Sequence, residues 1–247
     1  ERRYILAVDQ STTGTKAILF NREGEVKHKC YMEHKQYYPK QGWVEHDAEE
    51  LLTNVRTLIR RVLDEGDARA EDIASIALTN QRETILVWDK LTGKPVYHAI
   101  VWQCNRGIDI CRKLREEEET AERIQEVTGL PLSEYFSAAK LAWIMQNVEE
   151  VGELLRQDRL LCGTIDCWLA WNLSVEQAHV TDYTNASRTQ LMDLKKGRWD
   201  EWLVEKFGLR MSMLPELVNS DEIIGHMVID GIMVPIAGLI GDSQGAL

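Results

Sequence analysis

The chain has 247 residues, with 29 Lys and Arg against 40 Asp and Glu, and a net charge of −11. That length can bury a proper core, and 44% hydrophobic with 28% charged residues exclude disorder, collagen and fibre. The acidic balance argues against a nucleic-acid partner, and no run approaches the roughly 20 apolar residues of a membrane span. Five cysteines (Cys30, Cys104, Cys111, Cys162, Cys167) without a CxxC pair or a zinc-type cluster point to a reduced, cytoplasmic chain.

In chain order, Tyr4–Val8 is a short apolar run that predicts a buried strand ending on Asp9. A polar turn, Gln10–Thr15, leads to a second strand at Lys16–Phe20, and Asn21–Gly24 turns the chain into a third, which makes an antiparallel meander. Asp47 then caps a helix that ends before Gly66. Glu50 completes a capping-box pattern, and Leu51, Leu52, Val55, Leu58, Ile59, Val62 and Leu63 keep one helical face apolar. Strands are predicted at Ile73–Leu78 and Ile85–Trp88. The stretch from about Arg106 to Met211 reads as mainly helical, with breaks near Gly129, Pro131 and Thr181–Asn185. Strand signals return at Met227–Ile229 and Val234–Ile240. The charge run Arg112–Glu126 reads as a solvated helix face, and Trp143, Trp168 and Trp171 as core. The six histidines form no ligand spacing. Without a linker, this pattern predicts one domain with a mixed sheet, α/β or α+β.

Four segments place polar residues where an apolar strand ends, the usual position of sites in open α/β sheets: Asp9–Lys16, Asn80–Glu83, Trp102–Cys104 and Gly241–Gln244. The first lacks the Gly-x4-Gly-Lys-Ser/Thr phosphate loop. Its hydroxyls, backbone N–H groups and Lys16 still suit a polyphosphate, and Asp9 suits Mg²⁺ directly or through water; a polar hairpin turn would read the same way. Arg82 only donates hydrogen bonds and Glu83 only accepts them, so the pair can satisfy neighbouring hydroxyls of a polyol, although on these two residues alone a surface ion pair is the better reading. Asp242 follows Gly241, where a ligand could approach the backbone closely. A carboxylate is a weak base, which phosphoryl transfer tolerates because its loose transition state needs mostly positioning and charge stabilisation; a turn aspartate is the plain alternative.

Taken together, Val8–Lys16, Gly42–Asp47, Thr79–Thr84, Ile100–Cys104, Tyr135–Ser137, Val180–Thr189 and Gly241–Gln244 resemble the N-terminal half of the FGGY-family carbohydrate kinases over nearly the whole chain. The strings Asn-Gln-Arg-Glu, Val-Trp-Gln-Cys and Asp-Tyr-Thr-Asn-Ala-Ser-Arg-Thr are the specific ones. The resemblance implies an actin/hexokinase/RNase-H-like α/β fold with a mixed central sheet flanked by helices. It also implies ATP-dependent phosphorylation of a primary hydroxyl of a small polyol, with glycerol favoured and glycerol 3-phosphate as product. By position, Arg82, Glu83, Tyr135, Asp242 and Ser243 would bind the polyol, with Trp102 as an apolar wall. Asp242 would be the general base, Asp9 would organise Mg²⁺, and Thr12, Thr13 and Lys16 would contact the phosphates of ATP.

Two departures matter. Glycerol-phosphorylating members usually read Asp-Gln-Gly-Thr-Thr-Ser-Ser-Arg at the first segment, and Lys16 keeps the charge of that Arg but loses its bidentate fork. They read Gly-Asp-Gln-Gln where this chain has Gly241-Asp-Ser-Gln244, and Ser243 reaches less far than Gln, leaving room for a larger sugar or polyol such as a tetritol or pentulose. A non-catalytic polyol-binding protein on the same scaffold is the alternative in another class; intact Asp9, Arg82, Glu83 and Asp242 argue against it. In this family the adenine pocket lies in a second domain. Residues 1–247 are therefore expected to be the polyol-binding domain alone, nearly inactive by itself, and homo-oligomers are common among such kinases.

Overall fold

The computed structural model describes residues 3–246; the outermost ends of the expected 1–247 domain lie outside the described residues. The meander is formed by β1 (Tyr4–Gln10), β2 (Gly14–Phe20) and β3 (Val26–Glu33), paired antiparallel. Asn21 sets its second turn, its Oδ1 accepting from the backbone N–H groups of Glu23 and Glu25, and Gly24 takes a φ of +78°. After the short β4 (Glu45–His46) comes α1 (Ala48–Glu65), whose seven apolar positions are all buried. Asp47 caps it as expected. Glu50, however, accepts from the backbone N–H of Lys35, so the capping box is only half made and α1 is tied to the end of β3 instead.

β5 (Ile73–Asn80) runs parallel to β1, and β14 (Ile232–Gly241), entered through the antiparallel β13 (Gly225–Ile229), runs parallel to β5. The six-stranded sheet has the order β13-β14-β5-β1-β2-β3 and is mixed. A second, antiparallel sheet contains β4, β7 (Ala99–Ile100), β6 (Ile85–Asp89) and β8 (Leu160–Thr164), in that order.

The expected helical stretch is corrected here. It does hold α2 (Ile108–Glu116), α3 (Thr120–Thr128), α4 (Ser137–Asn147), α5 (Glu149–Arg156), α6 (Ile165–Leu173), α7 (Tyr183–Ala186) and α8 (Glu201–Lys206). It also holds β8, β9 (Val180–Asp182), β10 (Met192–Asp193) and β11 (Arg198–Trp199); β12 (Glu216–Val218) follows and pairs with β9. Leu86, Trp88 and Leu161 face one core, whereas Ile85, Val87, Leu160 and Cys162 face another, so β6 and β8 are buried on both sides. A strand of that kind is a continuous apolar run without alternation, and β8 leads directly into α6, which is itself buried at every position but Asn172 and touches strands of both sheets. The charge run is solvated as expected but forms two helices, α2 and α3, joined at Glu119 with a φ of +58°. Trp168 and Trp171 are core; Trp143 is only partly buried, packed against the second core. A short α9 (Asp242–Gly245) closes the described chain.

Candidate active site

The parallel strands β1, β5 and β14 end side by side, with Gln10 aligned to Asn80 and Asn80 to Gly241. This register brings three of the four segments together. Arg82 Nε lies 3.3 Å from Asp242 Oδ1, and Arg82 Nη2 donates to Ser243 Oγ at 2.9 Å. A Cβ at Gly241 would stand 2.6 Å from Arg82 Cδ, so the glycine lets the stem of the arginine pass close to the backbone. Asp242 Oδ1 also accepts from the backbone N–H of Ser243 at 2.8 Å. Asp9 and Asp242 line one cleft of about 350 Å³, open to solvent and otherwise largely apolar.

Arg82 and Glu83 turn to different partners. Glu83 adopts a φ of +63°, uncommon for a residue with a side chain, and its surroundings hold it there. Its carbonyl accepts from Ser137 Oγ at 2.9 Å, and its buried carboxylate accepts from Arg188 Nε at 2.6 Å. The ring of Tyr135 packs against Trp102 with centroids 5.7 Å apart. Partial burial, with the Glu83 carboxylate adding to it, pushes the Tyr135 phenol up. Trp102 Nε1 donates to Thr12 Oγ1 at 2.9 Å, so the expected apolar wall and the expected phosphate turn are joined.

The turn itself is built from below. Gln36 Nε2 donates to the Thr12 carbonyl at 2.7 Å, and Ser11 Oγ donates to Asp9 Oδ1 at 3.0 Å. Thr13 and Lys16 are exposed. Lys16 is the cross-strand partner of Asp9, which places a cation and a carboxylate on the same sheet face. Beneath the turn, His34 and His46 meet edge to face at 4.3 Å, and burial, followed by the His34 charge, pushes His46 down to about 3.

Sequence reasoning missed two further residues of the site. Arg188, in the Asp182–Thr189 string, anchors Glu83 and lies over the rings of Tyr135 and Phe136. Lys140 is fully buried in α4, where Nζ donates to the carbonyls of Glu134 (2.5 Å) and Tyr135 (2.7 Å); burial lowers it to about 8. Its place in an otherwise apolar helix was the only signal available. The histidines form no ligand spacing along the sequence, but one of them joins a cluster in space. Donor atoms of His28, Cys30 and Glu65 lie within 4.8 Å of one another, on β3 and the end of α1, and Arg61 Nε neutralises Glu65 at 2.9 Å. Spacing along the sequence could not show it, because Glu65 comes from a different element.

No helix among the described residues is long and apolar enough to cross a membrane. Residues 4–247 match the model of the FGGY family of carbohydrate kinases, N-terminal domain. The chain is 45% identical over 246 residues to Glycerol kinase 1 of Thermotoga maritima, covering 99% of this chain and 50% of that protein. It is 48% identical over 247 residues to the glycerol kinase of Bacillus cytotoxicus, again with 99% and 50% coverage. The crystal structure of Plasmodium falciparum glycerol kinase with ADP superposes with a TM-score of 0.92 at 36% identity, over 98% of this chain and 49% of that one. The chain thus spans about half the length of the curated relatives it matches. The mixed sheet with flanking helices is the actin/hexokinase-like fold expected from the sequence. The chain belongs to the FGGY family of carbohydrate kinases, whose N-terminal domain it matches.

Proposed function

We propose that this chain is the polyol-binding half of a two-domain, ATP-dependent kinase that phosphorylates a primary hydroxyl of a small polyol, with glycerol as the favoured acceptor. The observation that carries this reading is the convergence of Arg82, Asp242 and Ser243 at the ends of parallel strands, next to Glu83 and Tyr135. The glycerol kinases with twice its length support it. In this reading Arg82 donates to a substrate oxygen, Glu83 accepts from a hydroxyl, and Tyr135 with Trp102 walls the carbon chain. Asp242 Oδ accepts the proton of the attacking hydroxyl. Only the strand-end side of the cleft is shaped here, and a second domain would hold the adenine and exclude water.

Thr12, Thr13 and Lys16 would contact the phosphates. The donor set fits Mg²⁺: Asp9 offers a single hard carboxylate whose other partner is a serine hydroxyl, and Mg²⁺ favours one or two carboxylates together with waters and substrate phosphates. Bound there through Asp9, it would neutralise charge on the transferring phosphate. Five free, buried cysteines suit a cytoplasmic setting. Association into a homo-oligomer belongs to the same reading.

The test is a substrate panel with ATP and the full-length protein. Glycerol should be phosphorylated best. A tetritol or pentulose preferred by more than about tenfold, roughly 1.4 kcal/mol, would favour the second reading, a kinase for a larger acceptor. Ser243 supports that alternative, because its short side chain is held by Arg82 rather than reaching across the site. Polyol binding without phosphorylation of any member of the panel would leave a non-catalytic binding protein.

A further inference from the structure

Asp242 directly follows β14, whose ladder with β5 shifts register between Ile236 and Leu239 and then pairs Leu239, Ile240 and Gly241 with Leu78, Thr79 and Asn80. The pairing sets one side of the Gly241 backbone. A largely buried network holds the other. Gly241 N donates to Thr184 Oγ1 at 2.8 Å, and Thr184 Oγ1 donates to Asp182 Oδ2 at 2.6 Å. Because the threonine proton is committed to Asp182, its lone pair is aimed at Gly241. Asp182 is fully buried; Ser220 Oγ also donates to Oδ2 at 2.7 Å, and its Oδ1 accepts from both the backbone N–H and Nδ2 of Asn185. The Asn185 amide in turn exchanges two hydrogen bonds with the Asn80 amide, at 2.8 and 3.1 Å. Asn80 is the last residue of β5, two before Arg82.

We infer that Asp182 and Thr184 are positioning residues of the reaction, holding the Asp242 carboxylate at a set distance from Arg82 and Glu83 through Gly241 on one side and Asn185–Asn80 on the other. Neither touches the cleft. The inference rests on Asp242 being the base. A carboxylate displaced by about 1 Å can cost up to about a hundredfold in rate, while the polyol contacts of Arg82 and Glu83 would remain.

The experiment measures steady-state kinetics for glycerol and ATP, with thermal unfolding, on the full-length protein carrying Thr184→Val, Thr184→Ser or Asp242→Asn. Thr184→Val keeps the shape and loses the acceptor; its kcat should fall at least about tenfold with the glycerol KM within about threefold of wild type. Thr184→Ser, which restores the hydroxyl, should recover kcat to within about threefold. Should Thr184→Val fail to fold, Thr184→Ala, which removes the acceptor without adding bulk, carries the same expectation. Wild-type kcat in the hydroxyl-free variant while Asp242→Asn is inactive would overturn the positioning role and leave the base untouched. A kcat loss that Thr184→Ser does not recover would overturn it too. Turnover retained by Asp242→Asn would remove the base, and this inference with it.

Discussion

Two arginine–carboxylate pairs sit on the two sheets, and they differ in what surrounds them. Arg106 is fully buried against Glu45, with Nη2 2.5 Å from Oε2. It also donates to Tyr97 Oη and Cys104 Sγ, and its guanidinium lies 4.0 Å from the Trp43 ring centroid and 4.7 Å from that of Trp143. Glu45 accepts further from Tyr97 and interacts with His98. Nothing is left for a ligand to satisfy. Arg82 and Asp242 are 17% and 44% exposed, their 3.3 Å approach lacks hydrogen-bond geometry, and Arg82 Nε has no hydrogen-bond partner among the described residues. A saturated pair builds scaffold, and an unsaturated pair at a strand end is available to a substrate. Residue type alone does not separate them.

The contrast breaks or sharpens under substitution. The largest effect is expected from Arg106→Leu, which strands the Glu45 charge in the interior and should cost about 3–5 kcal/mol of stability by denaturant unfolding. An unchanged midpoint would place Arg106 with Arg82. Arg82→Leu should do the reverse, with stability within about 1 kcal/mol of wild type and polyol affinity lowered by about 1.5–3 kcal/mol, or roughly tenfold to a hundredfold. Equal damage to folding and binding would remove the distinction.

A third, saturated site is His46, which accepts or donates to Gln36 and Gln81 beneath the Gln10–Thr15 turn. Its folded-state pKa is about 3 against an ordinary 6.5, with burial the main cause, so below pH 6.5 the unfolded chain takes up a proton that the folded chain refuses. Stability should therefore fall as the pH drops from 6.5 toward 3, by about 2 kcal/mol at pH 5, and His46→Asn should flatten that slope. An unchanged slope in the variant would show that other groups carry the acid sensitivity. The smallest effect is expected from Ser243→Gln: selectivity for glycerol over a tetritol should rise only a few-fold, within about 1 kcal/mol. A fall in that selectivity would mean that Ser243 does not limit acceptor size.

The sequence made the polar strand ends legible because each of the three parallel strands β1, β5 and β14 has a short apolar run that gives way to polar residues: at Asp9, at Asn80 and at Asp242 after Gly241. Helix α1 was legible for the same reason, with one face buried and Asp47 at its start. In the four-stranded sheet β6 was legible as the apolar run Ile85–Trp88, but β8 was not, since burial on both faces erases its alternation and it runs directly into α6. Within the site, the contacts that hold Glu83 at its positive φ come from Ser137 and Arg188, about 50 and 100 positions away, and no local pattern encodes them. The Asp182 hub is mostly local, with Thr184 and Asn185 two and three residues on, and Ser220 is its distant member. Arg106 and Arg82 both follow apolar strand ends, and what separates them is the surroundings: Trp43 and Trp143 pack around Arg106, and Glu45, Tyr97 and Cys104 take its hydrogen bonds.

The most direct measurement is single-turnover phosphorylation of glycerol by the full-length protein carrying Asp242→Asn, with its unfolding midpoint recorded alongside. The substitution keeps the shape of a half-exposed side chain and removes its ability to take a proton. Turnover should fall by about 10²–10⁴-fold while the midpoint stays at the wild-type value. Wild-type turnover, or a loss matched by unfolding, would contradict the assignment of Asp242 and the Arg82 pair to the reaction.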